Sequence, residues 1–181
     1  KRVVPAHLES LFDVLRHSKD VDKRLTTVRA TTRMSPAKAM PLLQLAMRDP
    51  IDDVRLLAFS VRDKIESKIN ADISAYNEQL DRKETTVSHD AKADLYRRLA
   101  YAYWELVYLD LVEGDLREFV LDRVLENAGL STSLVQNRSL SVLVGRVYLA
   151  RGELESAERA FADAVTPVSY THLTLPTIRW V

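Results

Sequence analysis

Catalysis and metal binding need reactive side chains that converge, so the histidines are the first residues to weigh. His7 and His17 lie ten residues apart, which on one helix leaves them about 80° off a shared face. His89 stands alone. A tetrahedral metal site needs three or four ligands, and neither setting supplies a third. Solvated or packing histidines are the expectation, with no metal and no catalytic residue. The acidic pairs Asp52/Asp53 and Glu113/Asp115 fall where helices begin or turn, positions that cap a helix or favour its dipole. Acid–base work would require such carboxylates to face each other across a pocket. The triplet Asn137-Arg138-Ser139 fits a glycosylation sequon, but no signal peptide accompanies it and it is read as chance.

The glycines and cysteines narrow the choice further. The chain has 181 residues, four glycines and no cysteine, so disulfides and thiolate metal sites are excluded. Gly114 and Gly152 are expected at turns between paired helices, Gly129 at a helix C-terminus, and Gly145 where two helices approach closely. None is left for a phosphate-cradling loop, and neither nucleotide-binding glycine pattern occurs. A non-enzymatic chain without cofactor or small-molecule substrate is the reading that follows.

Charge is balanced overall, with 26 basic and 26 acidic residues, but unevenly spread. Residues 1–48 carry ten Lys/Arg against four Asp/Glu, whereas 49–90 carry six against ten and 91–167 nine against twelve. A basic start followed by an acidic remainder suits a solvated surface, proximity to anionic lipid, or nucleic-acid contact. No apolar run reaches the roughly 18 residues of a membrane span.

The elements that must position these residues emerge from self-similarity. A shift of 31 residues pairs Pro5 with Pro36, Leu11 with Leu42, Asp22 with Asp53, Arg24 with Arg55 and Leu25 with Leu56. Each unit reads as two helices, about 5–17 and 20–33 in the first, with Leu8, Leu11, Phe12 and Leu15 on one face. In the second, Ser35 is placed to cap and Pro36 to open the helix. The Asp49-Pro50 turn followed by Asp53, Val54 and Arg55 resembles a HEAT repeat, a likeness that implies Asp and Arg tying neighbouring units. The first copy has Lys23 where Val54 stands and is the more degenerate. From Asp52, apolar residues continue at helical spacing through Ile65, Ile73 and Leu80 without Pro or Gly, predicting a helix of about 30 residues and 45 Å. Residues 84–90 read as the loop that ends it.

A second shift, of 37 residues, pairs Trp104 with Ser141, Val107 with Val144, Val120 with Ala157 and Val124 with Phe161. Gly145, Tyr148, Gly152, Ala157, Phe161 and Ala164 resemble a tetratricopeptide (TPR) repeat, with Ser141 in place of its usual Trp; the earlier copy keeps Trp104 but has Tyr108 for the small residue. The expected organisation is an all-α helical-repeat solenoid: HEAT-like units at 1–68, helix continuation and linker at 69–90, TPR-like units at 91–166, and a tail at 167–181. That tail breaks the pattern and resembles translated sequencing adapter, so His172 and Trp180 are set aside and no contribution to the fold is expected from it.

The 91–113 helix is apolar on two sides. Ala100, Trp104, Val107, Tyr108 and Leu111 form one face; Leu99, Ala102, Tyr103, Leu106 and Leu109 form the other. Either the long helix covers the second face, or part of it lines a groove. The TPR likeness implies a concave strip of Ala102, Glu105, Leu109 and Val112 with Val142, Arg146 and Leu149, suited to an amphipathic segment.

Residues 16–25, 52–58, 103–107 and Glu113-Gly114-Asp115 together resemble the PelE family, components of bacterial Pel exopolysaccharide assembly. The resemblance spans about residues 1–166. It implies the cytoplasmic scaffold region of an inner-membrane protein, preceded by membrane helices, that helps assemble a polysaccharide synthase with its glycosyltransferase and membrane subunits. The alternative is a nucleic-acid-binding HEAT-like protein using Lys19, Lys23, Arg24, Arg29, Arg33 and Lys38 on phosphates, against which the acidic later part of the chain argues.

Overall fold

The computed structural model describes residues 6–82 and 88–165, for 6–9 the backbone alone. Among these residues there are eight α-helices and no strand: α1 (Ala6–His17), α2 (Val21–Thr31), α3 (Pro36–Ala46), α4 (Asp52–Arg82), α5 (His89–Tyr108), α6 (Gly114–Leu134), α7 (Arg138–Arg151) and α8 (Leu154–Val165). They divide into two compact units, residues 1–135 with α1–α6 and residues 136–181 with α7 and α8. The loop expected at 84–90 and the 167–181 tail lie largely or wholly outside the described residues.

In the first unit, local chemistry marks the starts of α2 and α3. The Asp20 carboxylate accepts the Asp22 and Lys23 N–H groups at 3.0 and 3.2 Å, satisfying donors that an N-terminus otherwise leaves open. Pro36 occupies the first turn of α3. Ser35 precedes it but makes no side-chain cap bond; its carbonyl instead accepts from Lys38 and Ala39. Within α3, Ala39, Leu42, Leu43 and Ala46 are all fully enclosed, the i, i+3, i+4, i+7 stripe of a helix buried along one side.

Helix α4 has 31 residues, about 46 Å long. Val54, Ala58, Val61, Ile69 and Ile73 are its buried residues. It packs against α2 and α3 and also against α5, so a single helix serves both neighbours.

The seam between the first two helix pairs is polar. Arg24 on α2 and Asp49, in the turn before α4, are both buried, and Arg24 Nη1 donates to the two Asp49 carboxylate oxygens at 2.7 and 2.6 Å. Arg24 Nε donates to the Ser18 carbonyl at 2.7 Å, and the Ile51 N–H donates to Asp49 Oδ1 at 3.0 Å. Arg55, 31 residues after Arg24, donates from Nη1 to the Asp49 carbonyl at 2.6 Å. The Ser18 and Asp49 carbonyls are themselves 31 residues apart, so both arginines bond the residue six before them. Arg55 sends its other arm to exposed Asp52 on its own helix. The tie across this seam thus runs through Asp49; Asp53, in the motif that suggested such a tie, is exposed.

Helix α5 is capped by Ser88 and ends at Tyr108, one turn before the expected stop. The Asp110 N–H donates to the Val107 carbonyl at 3.1 Å and the Leu111 N–H to that of Leu106 at 2.9 Å, with Asp110 at φ 56°. This is the Schellman termination, made by an aspartate where glycine is usual, and the sequence carried no glycine to announce it. Gly114, at φ 55°, opens α6. Gly129 is not terminal as expected: it lies inside α6, exposed, with open space around the place of its missing Cβ. The buried Ser131 hydroxyl donates to the Ala93 carbonyl at 2.7 Å, pinning α6 to α5.

In the second unit, Asn137 caps α7 by accepting the Ser139 N–H at 3.0 Å, which gives the sequon asparagine a structural task. Gly152 at φ 78° closes α7, with the Glu153 N–H donating to the Tyr148 carbonyl at 2.9 Å. A Cβ on Gly145 would stand 2.6–2.8 Å from the Phe161 ring. Hydrogen in place of a side chain is what lets α8 lie against α7.

Candidate interaction surfaces

No group of three or more His, Cys, Asp or Glu is placed to hold a metal ion among the described residues. His17 and His89 are exposed, and the His7 side chain lies outside the described residues. Of the six cations weighed for phosphate contact, Arg24 is consumed by its buried pair, while Lys19, Lys23, Arg29, Arg33 and Lys38 are exposed.

The strip expected to hold a partner divides between the two units, and each part stands by itself. On the first unit, Ala102, Leu109 and Val112 are buried and Glu105 is half-buried. This corrects the expectation of an open apolar strip there. The cause is coverage on both sides: α5 packs against α4 and also against α6, and buried residues occur on both of its apolar faces. Leu109 and Val112 are not on the helix at all; they follow its end, in a loop held by Arg62 Nη2 donating to the Leu111 carbonyl and Gln44 Nε2 donating to Asp110, each at 3.3 Å. On the second unit, Arg146 and Leu149 are exposed and Val142 is half-buried.

Leu149 belongs to a groove of about 510 Å³ between α7 and α8, lined otherwise by Leu154, Ala157, Glu158, Phe161, Ala162 and Val165. Leu149 is 50% exposed, Leu154 69% and Val165 80%. Ala157 and Phe161 stand at marker positions of the TPR-like repeat, Ala157 buried and Phe161 half-buried; Leu154 and Val165 carried no such mark. Their signal is spacing: 154, 158, 161 and 165 follow one face of α8, beside the small residues Ala157 and Ala160 that are buried. Exposed acids accompany this helix at Glu153, Glu155, Glu158 and Asp163.

A second recess, wholly within the first unit, is a polar trough of about 240 Å³ with α4 and α6 as walls and α5 as floor. Tyr96 and Tyr103 lie on its floor, half-buried, and Asn127 on its α6 wall is buried. Next to it on α5, Asp94 is held by Arg97 and by Arg98, whose Nε donates at 2.6 Å. Hydrogen bonds from Arg97 and then Arg98 lower the Asp94 pKa, and the bond to Asp94 raises that of Arg98.

No described helix is long and apolar enough to cross a membrane. Comparison with known proteins gives no match to a protein-family model, a curated protein or a solved structure.

Proposed function

We propose that this chain is a non-catalytic helical-repeat scaffold whose α7–α8 groove receives an amphipathic helix of a partner protein. The observation that carries this reading is the exposed apolar lining of the groove, led by Leu149, Leu154 and Val165. Contiguous exposed apolar surface rimmed by charge is the mark of a protein contact, and an apolar groove between helices is how amphipathic helices are held. The acids along α8 select a partner helix with basic flanks. Two contacts support the repeat reading: the shared six-residue reach of Arg24 and Arg55, and the fit of Phe161 over Gly145. In line with the resemblance to PelE, we place the partner among the subunits of a polysaccharide synthase, its glycosyltransferase included, at the cytoplasmic face of the inner membrane.

The test is capture of those subunits by the chain, run beside thermal melts. Leu154→Glu is expected to abolish capture while the protein melts as before, since the residue is exposed. Leu109→Glu is expected to lower the melting temperature sharply, because a charge replaces a buried side chain. Undiminished capture by folded Leu154→Glu would remove the groove from the reading.

A further inference from the structure

We propose that the groove between α3 and α4 is the contact through which two copies of this chain form a twofold dimer. This contact is separate from the α7–α8 groove and stands whether or not that groove is filled. The α3–α4 groove has a volume of about 520 Å³ and lies within the first unit, with Met40, Gln44 and Met47 on one side and Phe59 and Arg62 on the other. The loop after α5 borders it, tied down by Gln44 Nε2 donating to Asp110 and Arg62 Nη2 donating to the Leu111 carbonyl.

The 31-residue shift identifies what kind of surface this is. Leu25 and Val28 on α2 correspond to Leu56 and Phe59 on α4. In the first copy of the pattern Leu25 is half-buried and Val28 is 1% exposed, because α2 packs against α3 and α4. In the second copy Leu56 is 67% exposed and Phe59 45%. Positions that receive this chain's own helices the first time are left open the second time. Apolar side chains uncovered side by side mark a contact surface, and the helices that cover their counterparts are α3 and α4 themselves. A second copy of the chain offers those same helices.

Charge favours the same occupant. Arg48 and Arg62 line the groove together with Asp110 and Glu113, so no net charge selects an acidic or a basic partner. A patch that holds both signs is instead complementary to itself. Arg48 and Glu113 are exposed, and neither side chain has an ion-pair partner among the described residues. Across a twofold axis every contact occurs twice, so Arg48 of one copy meets Glu113 of the other in two places. The α7–α8 groove lacks this property, since exposed Glu153, Glu155, Glu158 and Asp163 would set acid against acid.

The test is sedimentation of the full chain at micromolar concentration, where the expected mass is twice the 20.6 kDa of one chain. Leu56→Glu, at an exposed position that leaves folding intact, should give a monomer. Leu154→Glu, on the second unit, should leave the dimer as it was. The sharpest arm reverses charges. Arg48→Glu and Glu113→Arg should each raise the dissociation constant at least about tenfold, because like charges then meet twice. Glu113 makes no side-chain bond at the start of α6, so its reversal leaves that helix in place. An equimolar mixture of the two variants should regain the dimer as a heterodimer, since each reversed residue then faces its opposite. A chain that sediments as a monomer throughout, a dimer that survives Leu56→Glu, or a mixture that associates no more tightly than either variant alone would each overturn the proposal.

Discussion

Two seams in this molecule join helix to helix by opposite means. Between α2 and the turn before α4, a buried arginine and a buried aspartate meet through paired hydrogen bonds. Between α7 and α8, a glycine makes way for a phenylalanine ring and no charge is involved. The first seam depends on two residues 25 positions apart being present together; the second depends on one atom being absent. A polar seam is therefore brittle to the loss of either partner, whereas a steric seam fails in proportion to the volume added.

The largest expected effect lies at the polar seam. Arg24→Ala leaves Asp49 buried, charged and short of two hydrogen bonds, a loss of about 3–5 kcal/mol. Arg55→Ala removes the equivalent reach to the Asp49 carbonyl, but its side chain is 35% exposed and water replaces much of what is lost, so about 1 kcal/mol is expected. Denaturant melts of the two variants check the contrast. Equal losses would show that the buried pair contributes no more than an ordinary surface arginine, and the comparison between seams would fall.

The steric seam is expected to yield less. Gly145→Ala puts a methyl group 2.6–2.8 Å from Phe161 ring atoms, so the ring must move. Overpacking costs about 1–3 kcal/mol, and the low end applies here because the ring is half-buried and the backbone is not what it strikes. Adding Phe161→Leu to Gly145→Ala should recover part of the loss, although each change alone destabilises. A double variant that loses the full sum of the two would mean that Gly145 serves something other than room for this ring.

How much of this was legible in the sequence follows from where each signal resides. One helix start was read from single residues, Pro36 opening α3 after Ser35; Asp20 and Asn137, which cap α2 and α7, were not read as caps. The length of α4 was visible because nothing interrupts its spacing. The stop of α5 was not, since Asp110 takes the left-handed conformation that glycine would have advertised. Gly129 misled for the converse reason: it sits in mid-helix with no turn to make. Periodicity found both apolar faces of α5, but whether either stays open depends on neighbours, and packing against α4 and α6 leaves buried residues on both. The groove on α7–α8 was half legible, through Leu149; Leu154 and Val165 needed the packing of α8 to show that they remain uncovered. The trough was not legible, because Asn77, Tyr96 and Asn127 come together only when three helices do.

The smallest effect takes the chemistry of the polar seam to the surface. Asp94 is bound by two arginines as Asp49 is by one, yet its side chain is 37% exposed and that of Arg98 53%. Bonds from Arg97 and then Arg98 hold the Asp94 pKa below the ordinary 3.8. A carboxylate whose folded pKa is depressed contributes stability that is present above its unfolded value and is lost as pH falls through the folded one. The contribution of Asp94 is thus complete at pH 7, begins to fade near pH 4 and is gone once the folded group is protonated. Solvent screening keeps it to about 0.5 kcal/mol at most. Asp94→Asn should therefore destabilise slightly at pH 7, and the gap to the unaltered chain should close as pH falls below about 4. It should also shrink in high salt, which screens exposed pairs and leaves buried ones largely untouched; the loss from Arg24→Ala should not. If Asp94→Asn instead costs as much as Arg24→Ala and ignores salt, burial does not explain why the inner pair outweighs the outer one, and the difference must be sought in the geometry of the arginines themselves.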